Sequence, residues 1–266
     1  MKFFKIIRFS VDFFVLEGYN VYSLIAEVFN MQGFNQKITV DVHDVDFNGV
    51  CRVSSLMKYI QSTAQLQLTE NGMSYEQLRE CGKAFIISKI RLEFYTSVHT
   101  YDRLEAQTFP CVSRGYSFIR CYALWRDGEI IGRAISVWAL IDTENRSLVK
   151  VSDFDLNLPT YEPFDLTISH IRMPSTMREV GKYTVVYADL DQNKHINNTK
   201  YADIFANFLP LNKKRIDSIT ISYVNEALYG DTLTVYYEEC DGYYYVRTVR
   251  PDGKVNAEAQ IHLCDI

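Results

Sequence analysis

Long apolar runs are missing from the beginning of this chain, and that removes two readings at once. Within residues 1–36 the longest unbroken hydrophobic stretch is Phe13–Leu16, because Lys5, Arg8 and Asp12 break up the others. A secretory leader needs an apolar core of roughly 7–15 residues, and a membrane-spanning helix about 20. No integral membrane segment is therefore expected. Residues 1–36 are set apart as an N-terminal extension. Within it, Val21–Phe29 has the spacing of an amphipathic helix, and Met31 is an alternative start just before the patterned region.

Paired cysteines and metal clusters are missing as well. Cys51, Cys81, Cys111, Cys121, Cys240 and Cys264 are far apart and form no C-x-x-C pair. In a chain of this length they read as reduced packing thiols of a cytoplasmic protein. The histidines (His43, His99, His170, His195, His262) lack zinc-site spacing, and no Gly-rich phosphate loop occurs. Neither a metal nor a cofactor is expected. Excess positive charge is absent too, since 28 Lys and Arg face 33 Asp and Glu for a net −5. That balance argues against broad electrostatic binding to nucleic acid or anionic membrane.

Core-forming material is plentiful. The 266 residues are 47% hydrophobic and 14% aromatic, enough for one large or two ordinary domains. From Lys37 the pattern becomes regular. Ile38–Val42 reads as a strand, and a helical pattern follows over Val53–Leu68 with Leu56, Met57, Ile60, Ala64 and Leu68 on one side. Asn71-Gly72 is a stop signal, and Ser74–Glu80 reads as a short second helix. Strand patterns follow over Ala84–Phe94, Arg103–Phe109, Tyr116–Arg126 and Ile130–Ile141, with the hairpin signal Asp127-Gly128 before the last. A strand, a helix and a run of antiparallel strands predict an α+β layer.

The second half repeats the plan. Asp44, Asp46 and Asn48 lie 145 residues before Asp189, Asp191 and Asn193; Ile90, Phe94 and Asp102 lie 129 before Ile219, Tyr223 and Asp231; Asp127-Gly128 lies 125 before Asp252-Gly253. Ordered landmarks with a falling offset indicate a duplication whose first copy has the longer helical region. Between the copies, roughly 143–182, Pro159, Pro163 and Pro174 mark a crossover with little regular structure. The expected division is 37–145, a linker over 146–180, and 181–266.

Chemistry concentrates in the second copy. The β-branched run Tyr183–Tyr187 leads to Asp189-Leu190-Asp191-Gln192-Asn193-Lys194-His195-Ile196-Asn197-Asn198, and Tyr201, Ile204, Phe205 and Phe208 then show helical spacing. A polar turn feeding a helix N-terminus suits an oxygen that becomes negative during a reaction. Asp191, Asn193, Asn197 and Asn198 are also ordinary turn and cap types. The comparison between copies separates the readings, because His195 corresponds to Val50 and Glu226 to Ser97. A turn needed only for its shape has no reason to differ this way.

The motif D-x-N-x-H-x-N-N-x-x-Y over Asp191–Tyr201, set in the second of two such copies, resembles the acyl-acyl-carrier-protein thioesterases. So does the strand end Ile219–Ala227 with its Tyr223-x-x-Glu226. The resemblance covers about 37–266 and implies two tandem hotdog domains, each an antiparallel sheet wrapped around a helix. The family often has a cysteine after this glutamate, and here Ala227 stands in its place. A thiol nucleophile at that position is excluded, which leaves hydrolysis by an activated water.

Thioester hydrolysis needs a polarised carbonyl, a deprotonated water and a protonated leaving thiol, and these residues can fill those roles. Asn193 and helix N-terminal N–H groups would take the carbonyl oxygen, and Glu226 would serve as general base, better so if buried. His195 would orient the water, share the base role or protonate the leaving thiolate, and Asp191 would hold the turn. An acyl tunnel, which the resemblance places in the first copy, points to Leu56, Met57, Ile60, Ala64, Ile86 and Ile87. Acidic acyl carrier protein, the expected partner alongside the fatty acyl chain, needs a basic patch, for which Lys213-Lys214-Arg215 is the candidate. A homodimer is compatible with all of this. The rival readings are an acyl-coenzyme A thioesterase, a non-catalytic acyl-binding module and a hotdog dehydratase.

Overall fold

The structure is a computed structural model that describes residues 33–266. The features expected at Val21–Phe29 and Met31 lie outside the described residues. The first half contains strand β1 (Phe34–Thr39), helix α1 (Val53–Glu70), helix α2 (Tyr75–Glu80) and strands β2 (Lys83–Phe94), β3 (Arg103–Pro110), β4 (Phe118–Arg126), β5 (Glu129–Asp142) and β6 (Ser147–Val149). The second half contains β7 (Arg178–Thr184), α3 (Lys200–Ala206), β8 (Lys214–Tyr223), β9 (Thr232–Cys240), β10 (Tyr243–Val249) and β11 (Val255–Asp265).

One antiparallel sheet runs through both halves in the order β1-β3-β4-β5-β2-β8-β11-β10-β9-β7, with β6 on β5. The order is a palindrome of equivalent strands. At the seam Ile90 pairs with Ile221, Arg91 with Thr220 and Leu92 with Ile219. Thr220 lies 129 residues after Arg91, the same offset that relates the copies there, so the local two-fold passes through the Arg91–Thr220 pair.

Alternation of side chains builds the sheet. In β9 and β10, Leu233, Val235, Tyr237, Tyr244, Val246 and Thr248 point inward while their neighbours are more exposed. Hairpin turns sit where Asp-Gly supplies two positive φ values, 54° and 84° at Asp127-Gly128. Helix α1 buries Val53, Leu56, Met57, Ile60 and Ala64 against the sheet. Truncating Ile60 to Ala in such a setting costs about 2–5 kcal/mol. The Asn71-Gly72 stop holds, with Gly72 at φ 72°. Ser74 caps α2 through a reciprocal pair of bonds with Gln77.

Three local expectations shift. The first strand is Phe34–Thr39, paired along β3 from Phe34↔Thr108 to Thr39↔Arg103, so it begins inside the stretch set apart as an extension. Asp41 ends it by capping a 3-10 turn at Val42–Asp44. Likewise β7 stops at Thr184, because the Asp189 carboxylate accepts a bond from the Val186 N–H and draws Tyr187–Asp189 into a 3-10 turn. Helix α3 ends before Phe208, whose ring packs over Gly181.

The crossover has little regular structure yet is packed. Phe164, Leu166 and Ile171 are buried, and Tyr161 and Phe164 set their rings edge-on to Phe109. Among the described residues no helix is long and apolar enough to cross a membrane.

Candidate active site

The turn before α3 is shaped by one carboxylate. Asp191 Oδ1 accepts the backbone N–H of Asn193 at 2.8 Å and of His195 at 3.3 Å. The Asp191 N–H donates to the His195 carbonyl at 2.9 Å, closing the loop. Lys194 takes a left-handed φ of 64° at its tip. The turn is then pinned to the β8–β9 connection, where the Ile196 N–H reaches the Ala227 carbonyl at 3.3 Å.

That pinning brings two residues distant in sequence together. Glu226, just beyond β8, places Oε2 3.2 Å from His195 Nε2. The Glu226 side chain is 65% exposed and His195 32%, so the burial looked for at this glutamate is not present. Behind the pair, Tyr223 donates to the Asn198 carbonyl at 2.9 Å and its ring meets Tyr201 edge-on. Asn256 donates to the Tyr201 hydroxyl at 2.9 Å. Burial pushes that hydroxyl up to about 12, and the Glu226 charge adds to the effect. Tyr201 therefore stays protonated at neutral pH.

Asn193 faces the first half. Its Oδ1 accepts a bond from the Tyr75 hydroxyl, at the start of α2, at 2.6 Å, and Arg79 lies over the Tyr75 ring at 5.7 Å. With the oxygen engaged, the amide N–H groups are the part of Asn193 left to donate elsewhere. The helix N-terminus offers less than expected. The Thr199 N–H is taken by Asn197 Oδ1, the Lys200 N–H by the Asn197 carbonyl and the Ala202 N–H by the Thr199 carbonyl. With α3 only seven residues long, the side chain of Asn193 is the better-placed donor.

A cavity of about 510 Å³ joins the halves here. The turn contributes Asp191, Asn193 and Asn198; the first half contributes Tyr75, Phe85, Phe118, Arg120 and Trp138 among others. Of the six acyl-tunnel candidates only Ala64 lines it. Met57 and Ile60 are packed in the core, Leu56 borders a second cavity, Ile87 is half-buried and Ile86 is 42% exposed. The physical reason is that helical spacing marks the face pressed on the sheet, whereas the cavity runs along the flank bearing Gln61, Ser62 and Gln65 and meets that face only at Ala64 and Leu68. Tyr75 and Arg120 carry no signal in the sequence, since each matters only through partners at large separation.

The Lys213-Lys214-Arg215 trio lies elsewhere. Asn48 of the first turn donates to the Leu211 and Lys214 carbonyls at 2.7 and 3.2 Å and accepts from the Lys213 N–H at 3.3 Å. Arg215 borders the second cavity, about 380 Å³, which has the first turn on one wall and α3 on the other.

Two family models cover this architecture. The acyl-ACP thioesterase N-terminal domain matches residues 31–156, and the acyl-ACP thioesterase C-terminal domain matches 173–263. The chain belongs to the acyl-ACP thioesterase family. An oleoyl-acyl carrier protein thioesterase of Coriandrum sativum is 24% identical over 226 residues, 75% of this chain and 61% of that protein. The chain thus spans about three fifths of the length of such acyl-ACP thioesterase relatives. The crystal structure of an acyl-ACP thioesterase from Bacteroides thetaiotaomicron superposes with a TM-score of 0.81 at 22% identity, covering 88% of this chain and 99% of that one. A 12:0-ACP thioesterase from Umbellularia californica gives 0.73 at 16% identity, covering 88% and 98%. These likenesses show the fold, two tandem hotdog units of α+β class, as expected.

Proposed function

We propose that the chain hydrolyses the thioester of a fatty acyl-acyl carrier protein, releasing free fatty acid and carrier protein. The observation that carries this reading is the His195–Glu226 contact at 3.2 Å, on the same turn as Asn193; Asn193 lines the cavity, whereas His195 and Glu226 stand outside its lining. Asn193, oriented by Tyr75, donates its amide N–H to the carbonyl oxygen as negative charge grows there, a role for which one donor contributes about 2.7–4 kcal/mol. Water held against the Glu226–His195 pair loses its proton to that pair and attacks the carbonyl carbon. The tetrahedral intermediate collapses, the C–S bond breaks, and the proton passes to the thiolate. Asp191 touches no reacting atom in this scheme; it fixes the backbone of Asn193 and His195.

The acyl chain occupies the 510 Å³ cavity. The carrier docks on the side of the turn where Arg79, Lys83 and Lys194 lie, in preference to Lys213-Lys214-Arg215, of which Arg215 borders the other cavity. The test is steady-state hydrolysis of a long-chain acyl-carrier thioester by Glu226→Ala, His195→Ala and Asn193→Ala. Each is expected to lower kcat by about 10²–10⁴-fold, and near wild-type kcat in all three would refute the site. Equal kcat/KM for coenzyme A and carrier thioesters would refute the partner.

A further inference from the structure

The cavity wall contributed by β4 carries a charge. Arg120 keeps only 8% of its surface exposed and lines the cavity. Its Nη1 donates to Gln67 Oε1 at 2.6 Å and to Thr108 Oγ1 at 3.1 Å, both neutral acceptors. The ionisable neighbours acting on it are Tyr122, Cys111 and Cys121; among the described residues no carboxylate pairs with it. A guanidinium presents five N–H donors and stays protonated. Burying one without a counter-ion is costly, and a plain hydrocarbon lying against it only removes further solvation.

A second observation points the same way. Gln61 Nε2 and Asn198 Oδ1, both on side chains lining this cavity, are buried with no hydrogen-bond partner. A slot shaped for an unsubstituted chain has no use for a cation and two unmet amide atoms among Phe85, Phe118 and Trp138, since buried polar groups are as a rule paired.

We propose that Arg120 makes the cavity selective for acyl chains that carry a hydrogen-bond-accepting oxygen, a hydroxyl, keto or terminal carboxylate group, over unsubstituted chains of equal length. The inference rests on the thioesterase reading for the reaction, but the binding preference stands apart from it. Arg120 would supply charge-assisted N–H bonds to that oxygen, in the fork geometry a carboxylate fits best. An enzyme so equipped acts after the reaction class that installs or retains oxygen on the chain, ahead of complete reduction.

The experiment compares kcat/KM for carrier thioesters of one medium chain length, unsubstituted, 3-hydroxy, 3-keto, ω-hydroxy and ω-carboxy, in wild type, Arg120→Met and Arg120→Lys. Calorimetric binding of the corresponding free acids runs alongside. In wild type at least one oxygenated chain should exceed the unsubstituted one by about tenfold to a hundredfold. Arg120→Met should bring that ratio near one, and Arg120→Lys should fall between. An unsubstituted chain that matches or beats every oxygenated one in wild type overturns the proposal. So does an unchanged ratio in an Arg120→Met protein that melts like wild type. Should that variant fail to fold, the wild-type series and the free-acid affinities decide. Should wild type hydrolyse none of the thioesters, the thioesterase reading fails, while tighter binding of an oxygenated acid still upholds Arg120 and its absence sinks it.

Discussion

The two turns of this chain, Asp46–Val50 and Asp191–His195, are built from matching bonds and used differently. In each, the aspartate Oδ1 accepts the N–H groups two and four residues on, at 2.8 and 3.1 Å in the first and 2.8 and 3.3 Å in the second. In each, the aspartate N–H reaches the carbonyl four residues later, at 2.8 and 2.9 Å. The asparagines diverge. Asn48 is bound on both sides of its amide by the Leu211–Lys214 loop, whereas Asn193 is held by its oxygen alone, through Tyr75. The first turn fastens the halves together; the second keeps a donor free beside a cavity. The His195–Glu226 pair stands at the second turn, where the donor is free, while Val50 and Ser97 hold the corresponding positions of the first.

The sharpest break of that comparison exchanges the asparagines for alanine. Asn193→Ala should lower kcat by about 10²–10³-fold with an unchanged melting temperature. Asn48→Ala should do the reverse, keeping kcat and losing about 1–3 kcal/mol of stability as the loop's carbonyls lose their donor. Calorimetric melting would register this as about 2–4 °C for each kcal/mol. Should Asn48→Ala cost activity at constant stability, the division of labour is wrong.

Charge reversal on the two basic clusters comes next. Arg79→Glu should lower kcat/KM for carrier-linked substrate about tenfold at low ionic strength and less at high salt, and Lys213→Glu should change it little. The opposite ranking would return the docking surface to the second cavity. Tyr75→Phe should reduce kcat several-fold with KM held, since it loosens one neutral bond to a group that still reaches the substrate.

Smaller still is the effect of the left-handed residue. Gly49 occupies this position in the first turn at φ 73°, and Lys194 occupies it in the second at 64°. Lys194→Gly should raise stability by about 1 kcal/mol, read as a higher denaturation midpoint. No change would mean that Lys194 gains elsewhere what the backbone loses. The smallest effect expected is from thiol alkylation. Burial pushes the Cys51 thiol up to about 12, and Ala227 occupies the position after Glu226, so hydrolysis near pH 8 should survive iodoacetamide. Loss of activity proportional to one modified thiol would bring covalent catalysis back.

The duplication was legible because it is written in local chemistry. Asp-x-Asn at each turn, and the glycine of Asp127-Gly128 and Asp252-Gly253 at φ 84° and 80°, are demanded by backbone geometry within a few residues, so they recur wherever that geometry recurs. The strands and α1 were legible for a similar reason, as side-chain period reports the buried face. Where a capping carboxylate several residues away competed, at Asp41 and Asp189, the same reading ran a strand too far. It also mistook the core face of α1 for the cavity face, because periodicity says which side is buried and not against what.

By itself, then, the sequence determined two copies, their turns, and the asymmetry that sets His195 and Glu226 in one copy only. Tertiary structure alone decided that Tyr75 reaches Asn193 across 118 positions. It alone decided that a cavity runs along the flank of α1, and that Arg120 stands in its wall without a carboxylate partner among the described residues. Local bonds leave a mark at fixed spacing along the chain. Contacts across a folded sheet do not, because the chain between them is free to be any length that closes the loop.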